Sequence, residues 1–286
     1  MTSTQWAGAL GSLILCATWF VPQPAVRSSI KEDVQFDSGG TKLAGSLVFP
    51  ASGPVSAGVV FVHGSGRQER FLAGAERFAR DGIAALVYDK RGVGQSEGEY
   101  EEGRQVGEEN LAQLAGDALA AYQTLANHPK LKDVPLGLTG ISQAGWIVPL
   151  TAARAEGVDF MVLWSGPVCK VSEEDIYSKH TRDLDTQTVP SYATALAARE
   201  TPYVWPDFLG RDTDSFEDLA QLSVPGLWVF GAMDGSVPVD LSMQNLTQLR
   251  ERSKPYEYVL FSASGHNNMV ESFATVTDWI ERLVRR

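Results

Sequence analysis

Cysteine is nearly absent from this chain: Cys16 and Cys169 are the two it has in 286 residues. If an N-terminal leader is removed, Cys169 stands alone, so no intrachain disulfide holds the fold and a packed core must. Histidine is almost as sparse, at four residues. No cluster of His, Cys and carboxylate side chains has metal-ligand spacing. Cations are scarce: 24 Lys and Arg stand against 35 Asp and Glu, a net charge of −11. That balance argues against a nucleic-acid partner, since binding phosphates needs basic surface, and it disfavours docking on anionic membranes. It says nothing about a small substrate. Repeats and low-complexity segments are missing. With 44% apolar and 21% charged residues the composition is that of a globular protein,. The length suffices for one large domain with a full core. No glycine loop suits a phosphate: Gly92-Val93-Gly94 lacks the third glycine and the helix start that a dinucleotide site needs,. No cofactor and no metal are expected.

Residues 1–26 differ from the rest. Trp6 to Val21 is almost entirely apolar or small, and Pro22 and Pro24 then break it. This resembles the apolar core of a secretory signal, although no Lys or Arg precedes Trp6,. Cleavage is expected near Ala25, with export to the periplasm or medium. The run is short for a membrane span, so no stable span is expected in the mature chain. Leu15 before Cys16 argues against a lipoprotein. Asn245-Leu246-Thr247 fits a glycosylation triplet, a pattern common by chance,.

From residue 27 onward, short apolar runs alternate with helical patterns. Val34–Asp37 and Leu43–Phe49 predict an opening hairpin,. Gly58–Val62, Ile83–Tyr88, Val134–Thr139, Val158–Trp164, Gly226–Phe230 and Tyr256–Phe261 predict buried strands. Helical spacing marks Phe71–Arg80, Glu108–Asn127, the stretch from Trp146 to about Ala155, Val239–Arg250 and Glu271–Val284,. Apolar strands alternating with helices imply an α/β domain with a mostly parallel sheet covered on both faces. Pro167 to Leu222 breaks the alternation. It is charged and carries Tyr177, Tyr192, Tyr203, Trp205 and Phe208. A structureless loop of that length is implausible in a compact domain, so a mostly helical cap insertion is expected at 167–222.

Gly140-Ile141-Ser142-Gln143-Ala144-Gly145 follows one apolar run and precedes another. A strand turning sharply into a helix needs small flanking residues, and Gly140, Ala144 and Gly145 provide them. This is the steric pattern of a nucleophile elbow, with Ser142 held in a strained turn. Ala144 stands where glycine is usual. A serine hydroxyl needs a base. Of the four histidines, His266 lies in a glycine-flanked loop after the last strand, at the carboxyl end where parallel-sheet sites form. His63, His128 and His180 lie at a strand end, before a proline and in the charged insertion. The orienting acid is expected to be Asp234, just past a buried strand, rather than Asp240 in the following helix. The order Ser, Asp, His is a known triad order. The oxyanion needs N–H donors. The expected pair is Gln143 N–H, immediately after the nucleophile, and Ser65 N–H in the loop after Val59–Val62, with Gly66 as runner-up. His63 is expected to hold that loop.

Together these motifs resemble the α/β-hydrolase superfamily, from about Val34 to the C-terminus. His63-Gly64-Ser65-Gly66 resembles its oxyanion loop, and Asp89-Lys90-Arg91-Gly92-Val93-Gly94-Gln95-Ser96 its D-x-R-G-x-G-x-S loop. The opening strands and the H-G-S-G spacing are most similar to bacterial serine esterases near the prolyl-oligopeptidase-like and dienelactone-hydrolase-like branches. The resemblance implies an eight-stranded sheet, a structural role for Arg91 in pinning loops, and a carboxylesterase acting on a small-molecule ester. A serine nucleophile disfavours dienelactone-hydrolase and haloalkane-dehalogenase chemistry. Thioesterase, acyltransferase or small-peptidase activity would use the same residues. A ligand-binding module on a hydrolase scaffold is the alternative outside enzymes. The aromatics of the insertion, with Trp146 and Trp164 near the elbow, suggest an apolar acyl or aryl pocket.

Overall fold

The computed structural model describes residues 29–285. The leader-like segment lies outside them. β1 (Ser29–Ser38) and β2 (Thr41–Pro50) form an antiparallel hairpin turning at Gly39-Gly40. Then follow β3 (Ala57–Val62), α1 (Leu72–Arg80), β4 (Ile83–Tyr88), α2 (Glu108–Ala126), β5 (Leu136–Ile141), α3 (Ala144–Ala152) and β6 (Phe160–Trp164). The insertion contains α4 (Val171–Thr181), α5 (Tyr192–Ala197) and α6 (Ser215–Gln221). The chain ends with β7 (Gly226–Gly231), α7 (Val239–Glu251), β8 (Tyr256–Phe261) and α8 (Met269–Val284).

The eight strands make one sheet in the order β1-β2-β4-β3-β5-β6-β7-β8. The pairings of β1 with β2 and β2 with β4 are antiparallel, and all others are parallel. Every residue of β3, β4, β5, β6 and β7 is buried, as a sheet covered on both faces requires,. Leu111, Ala118 and Leu125 of α2, Ile147 of α3, Leu219 of α6 and Leu246 of α7 cover one face. Phe78 of α1 and Phe273, Val276 and Ile280 of α8 cover the other. Each fully buried Leu, Ile, Val or Phe stabilises by about 1.5–3 kcal/mol. From β3 the chain passes to β4 on one side and then to β5 on the other. The strand order therefore reverses at the β3–β5 crevice, where open α/β sheets place their ligand sites.

The insertion departs from the expectation of a mostly helical cap. Residues 182–191 and 198–206 are irregular, and a short 3₁₀ turn covers Asp207–Leu209. Leu219 of α6 and Val171 at the start of α4 belong to the main core, and α4 and α5 also pack on each other. The apolar side of α6 thus completes the helical layer beside α3 and α7.

Candidate active site

Four strand ends meet on one edge of the sheet. Val62 ends β3 and leads to Ser65; Ile141 ends β5 and leads to Ser142. Gly231 ends β7 before Asp234, and Phe261 ends β8 before His266. Ser142 has φ +56°, a left-handed conformation that costs a serine on the order of 1–3 kcal/mol,. Its N–H donates to the Trp164 carbonyl at 2.9 Å, which locks the turn against β6. The small neighbours are obligatory. A Cβ on Gly140 would lie 2.4 Å from the Ala144 Cβ, and one on Gly145 would lie 2.5 Å from Pro167 Cδ. Ala144, where glycine is usual, is fully buried and fits.

Asp234 is fully buried, and both its oxygens reach His266 Nδ1, at 3.0 and 2.9 Å. Oδ1 also accepts the N–H groups of Ser236 and Val237, at 2.8 and 2.9 Å. Burial works against the His266 cation, but the hydrogen bond and charge of Asp234, with Asp185 and Asp183 beyond, outweigh it and raise the imidazole pKa. Asp240 lies in α7 and takes the Tyr192 N–H instead. Among the described residues no hydrogen bond joins Ser142 to His266, as is common before substrate tightens such contacts. The two are linked through the backbone: Ser165 follows Trp164, and its Oγ donates to the His266 carbonyl at 2.8 Å. Asn268 Nδ2 donates to that Oγ at 2.9 Å.

The loop after β3 lies against the elbow. A Cβ on Gly64 would sit 3.4 Å from Ser142 Cβ. Among the described residues the N–H groups of Ser65 and Gln143 donate to no other protein group. Gly66, the runner-up, has its N–H committed to Gln105 Oε1 at 2.9 Å. His63 is buried edge-on against Tyr88, and burial, with the Lys90 charge, lowers its pKa to about 3. It is a neutral core residue beneath the loop. Arg91 pins the neighbouring segments as expected, pairing with both oxygens of Asp117 and donating to Thr41 Oγ1. Asp89 forms a two-pronged pair with Arg70.

Trp146 and Trp164 are packed in the core. Both are buried, and their indole N–H groups donate to the Cys169 carbonyl and Ser272 Oγ. Their positions in α3 and β6, between sheet and helices, aim them into the core. Asn245 lies in α7 and gives its amide to the Val168 carbonyl at 2.7 Å. A cavity of about 380 Å³ opens instead beside Ile141 and Asn267, neighbours of Ser142 and His266, with Phe61, Phe71 and Met269 in its wall. A larger one, about 690 Å³, lies between the 98–110 segment and Phe208 and touches none of the five expected residues.

Several groups at this site escaped sequence analysis: Lys90, Gln105, Ser165, Asn268 and Asp185. Asp185, in the insertion, accepts the Gly235 N–H through Oδ1 and the His266 N–H through Oδ2, each at 3.0 Å. It sits so close that a Cβ on Gly265 would lie 2.0 Å from Oδ2. The paired glycines beside Asp234 and His266 were a signal of close approach, but not of what approaches.

Residues 53–219 match the family described as serine aminopeptidase, S33. The chain belongs to that family. It is thus a member of a serine-hydrolase family and has the α/β-hydrolase fold. An esterase of Pyrococcus furiosus is similar in structure, with a TM-score of 0.64 and 16% identity over 90% of this chain and 91% of that one. The acetyl xylan esterase of a Paenibacillus species is similar with a TM-score of 0.63 and 19% identity over 92% and 86%. In sequence, the quorum-quenching protein AidA of Acinetobacter baumannii is 44% identical over 69 residues, 23% of each chain. A polyketide transferase of Penicillium crustosum is 33% identical over 119 residues, 38% of this chain and 37% of that one. The matches thus span well under half the length of these curated relatives.

Proposed function

We propose that the protein hydrolyses carboxylic esters of small or medium acyl or aryl groups, through an acyl-enzyme on Ser142. The observation that carries this is the buried Asp234–His266 pair, opening on the same sheet edge as the strained Ser142. Ser142 Oγ attacks the ester carbonyl while His266 Nε2 takes its proton. Asp234 holds Nδ1–H and stabilises the imidazolium. The N–H groups of Ser65 and Gln143 receive the oxyanion. Collapse breaks the C–O bond, and the departing alcohol takes the proton from His266. Water then attacks the acyl group with His266 as base, releasing the acid and restoring Ser142. The cavity beside Ile141 and Asn267 offers Phe61, Phe71 and Met269 to an apolar group, with Gln68, Glu69 and Arg70 on its polar side,. The aminopeptidase description of the family favours an amide as the second substrate class.

The test is turnover of p-nitrophenyl esters of graded chain length beside a peptide amide and an acyl thioester, with organophosphate labelling. Ser142→Ala should abolish turnover and labelling, a loss on the order of a millionfold, with the fold intact. Even a tenfold residual loss would be too small for a nucleophile. Export belongs to the same proposal, and N-terminal sequencing of protein from the periplasm or medium should find the chain starting near Ala25.

A further inference from the structure

Lys90 follows β4 and is buried, 3% exposed. A lysine survives such burial only when its ammonium is fully partnered. Its Nζ donates to the Gly64 carbonyl at 2.9 Å, the Gly66 carbonyl at 3.2 Å and Gln143 Oε1 at 2.9 Å. Three N–H groups thus meet three acceptors. Two of those acceptors bracket Ser65 in the loop after β3. The third belongs to the residue after the elbow serine. Gln105 closes the ring from the other side: its Oε1 accepts the Gly66 N–H at 2.9 Å and its carbonyl accepts Gln143 Nε2 at 2.7 Å.

We propose that Lys90 is a positioning residue that sets the spacing of the two oxyanion-hole N–H groups, on Ser65 and Gln143, by tying the loop after β3 to the nucleophile elbow. This rests on the serine-hydrolase chemistry proposed above. The ammonium is needed for its donor count. A neutral amine keeps two N–H groups for three acceptors and turns its lone pair toward the third, so one strand end is released. Burial pushes the Lys90 pKa down to about 8, which puts that release within reach of an ordinary pH series.

His63 stays neutral, its pKa lowered to about 3 by burial and the Lys90 charge. The Tyr100 ring lies 5.8 Å from Nζ, with the Arg67 guanidinium 5.0 Å from the ring centre. Burial, with Glu102, raises the Tyr100 pKa. Asp89 is buried enough to resist ionisation, but Arg70 and two N–H groups hold its pKa low. Oxyanion contacts strengthen in the transition state, so a loosened hole lowers kcat and spares KM.

Three measurements on the full chain test this. Wild-type kcat should fall along an alkaline limb with a midpoint near pH 8. Lys90→Met, similar in length but without donors, should lose roughly tenfold to a hundredfold in kcat, less than the 10²–10³ of deleting a whole oxyanion donor. Its KM should hold, and its alkaline limb should vanish. Glu174 in α4 is the other group whose pKa burial, with neighbouring carboxylates, raises to about 8, so Glu174→Gln should retain the limb. If Lys90→Met fails to fold, the wild-type and Glu174→Gln profiles still decide. A flat wild-type kcat from pH 7 to about 10, a limb lost in Glu174→Gln, a limb retained in Lys90→Met, or a folded Lys90→Met with wild-type kcat each overturns the role of Lys90. A wild type that is neither labelled at Ser142 nor active on any ester removes the hydrolase function as well. A labelled wild type with a flat profile removes the positioning role alone.

Discussion

Replacing Asp234 with Asn should leave the shape of the site intact and remove its chemistry. Oδ1 of Asp234 accepts the N–H groups of Ser236 and Val237 at 2.8 and 2.9 Å. Those two donors hold the asparagine carbonyl in the Oδ1 place. The amide NH₂ must then occupy the Oδ2 place, 2.9 Å from His266 Nδ1. An N–H on Nδ1 would face that NH₂, donor against donor, and keep as its acceptor the oxygen in the Oδ1 place, 3.0 Å away and already taken by two backbone N–H groups. The imidazole therefore shifts its proton to Nε2 and accepts from the amide at Nδ1. In that tautomer Nε2 carries a hydrogen and cannot take the Ser142 proton. The equivalent change in a serine protease costs about 10⁴ in kcat. At about 1.36 kcal/mol per decade that is roughly 5.5 kcal/mol of transition-state stabilisation. Stability should change little, because both turn hydrogen bonds survive. The assay is kcat on a p-nitrophenyl ester beside a thermal melt, with ¹⁵N NMR of the imidazole to read the tautomer. A kcat within about tenfold of wild type, in a variant shown to carry the Nε2–H tautomer, would refute Asp234 as the orienting acid.

Three further expectations follow from the same geometry. His266 must be neutral to act as base, and Asp234 raises its pKa despite burial, so the acid limb of kcat/KM should fall at a pH above the ordinary imidazole value of about 6.5,; full activity well below that value would point to another base. Asp185→Ala removes one acceptor from the Gly235 and His266 N–H groups and a negative charge near the imidazole. Its kcat should drop about tenfold, the scale of one hydrogen bond to a charged group, and its acid limb should move to lower pH; a profile that does not move would leave Asp185 a mere surface contact. Asp117→Ala strands buried Arg91 without its carboxylate, which should cost about 3–5 kcal/mol,. A thermal melt should show it as a fall of roughly 6 °C or more, and an unchanged Tm would mean that Arg91 finds water or another partner.

Much of this molecule was legible along the chain. The alternation of apolar strands with amphipathic helices determined the layered α/β architecture, because a strand buried on both faces has no polar side to show. Gly140, Ala144 and Gly145 around Ser142 determined the elbow, because only small residues let a strand turn so sharply into a helix. The order of Ser142, Asp234 and His266, each just past a strand, followed from the rule that parallel strands deliver their loops to one edge. Local sterics and periodicity suffice for these, and both are written in neighbouring residues.

What lay beyond the chain was decided by contacts between distant segments. The sequence held Lys90 inside a recognisable loop, yet nothing local told that its ammonium reaches Gly64, Gly66 and Gln143. Asp185 looked like one charge among many in the insertion, and only packing set it between the glycines of the Asp234 and His266 loops. Trp146 and Trp164 were apolar residues near the expected nucleophile, and their neighbourhood suggested a pocket. The fold turned both into the core, because side-chain direction depends on which face of α3 and β6 meets another element. The insertion was expected to be mostly helical, but its aromatics anchor irregular chain, with Tyr203 donating to Asp175 and Trp205 to the Gly210 carbonyl. Sequence by itself determined the frame and the chemical residue types along one edge. Tertiary structure alone decided which remote side chains hold those residues in place, since a hydrogen bond across 50 or 80 positions leaves no trace in local pattern.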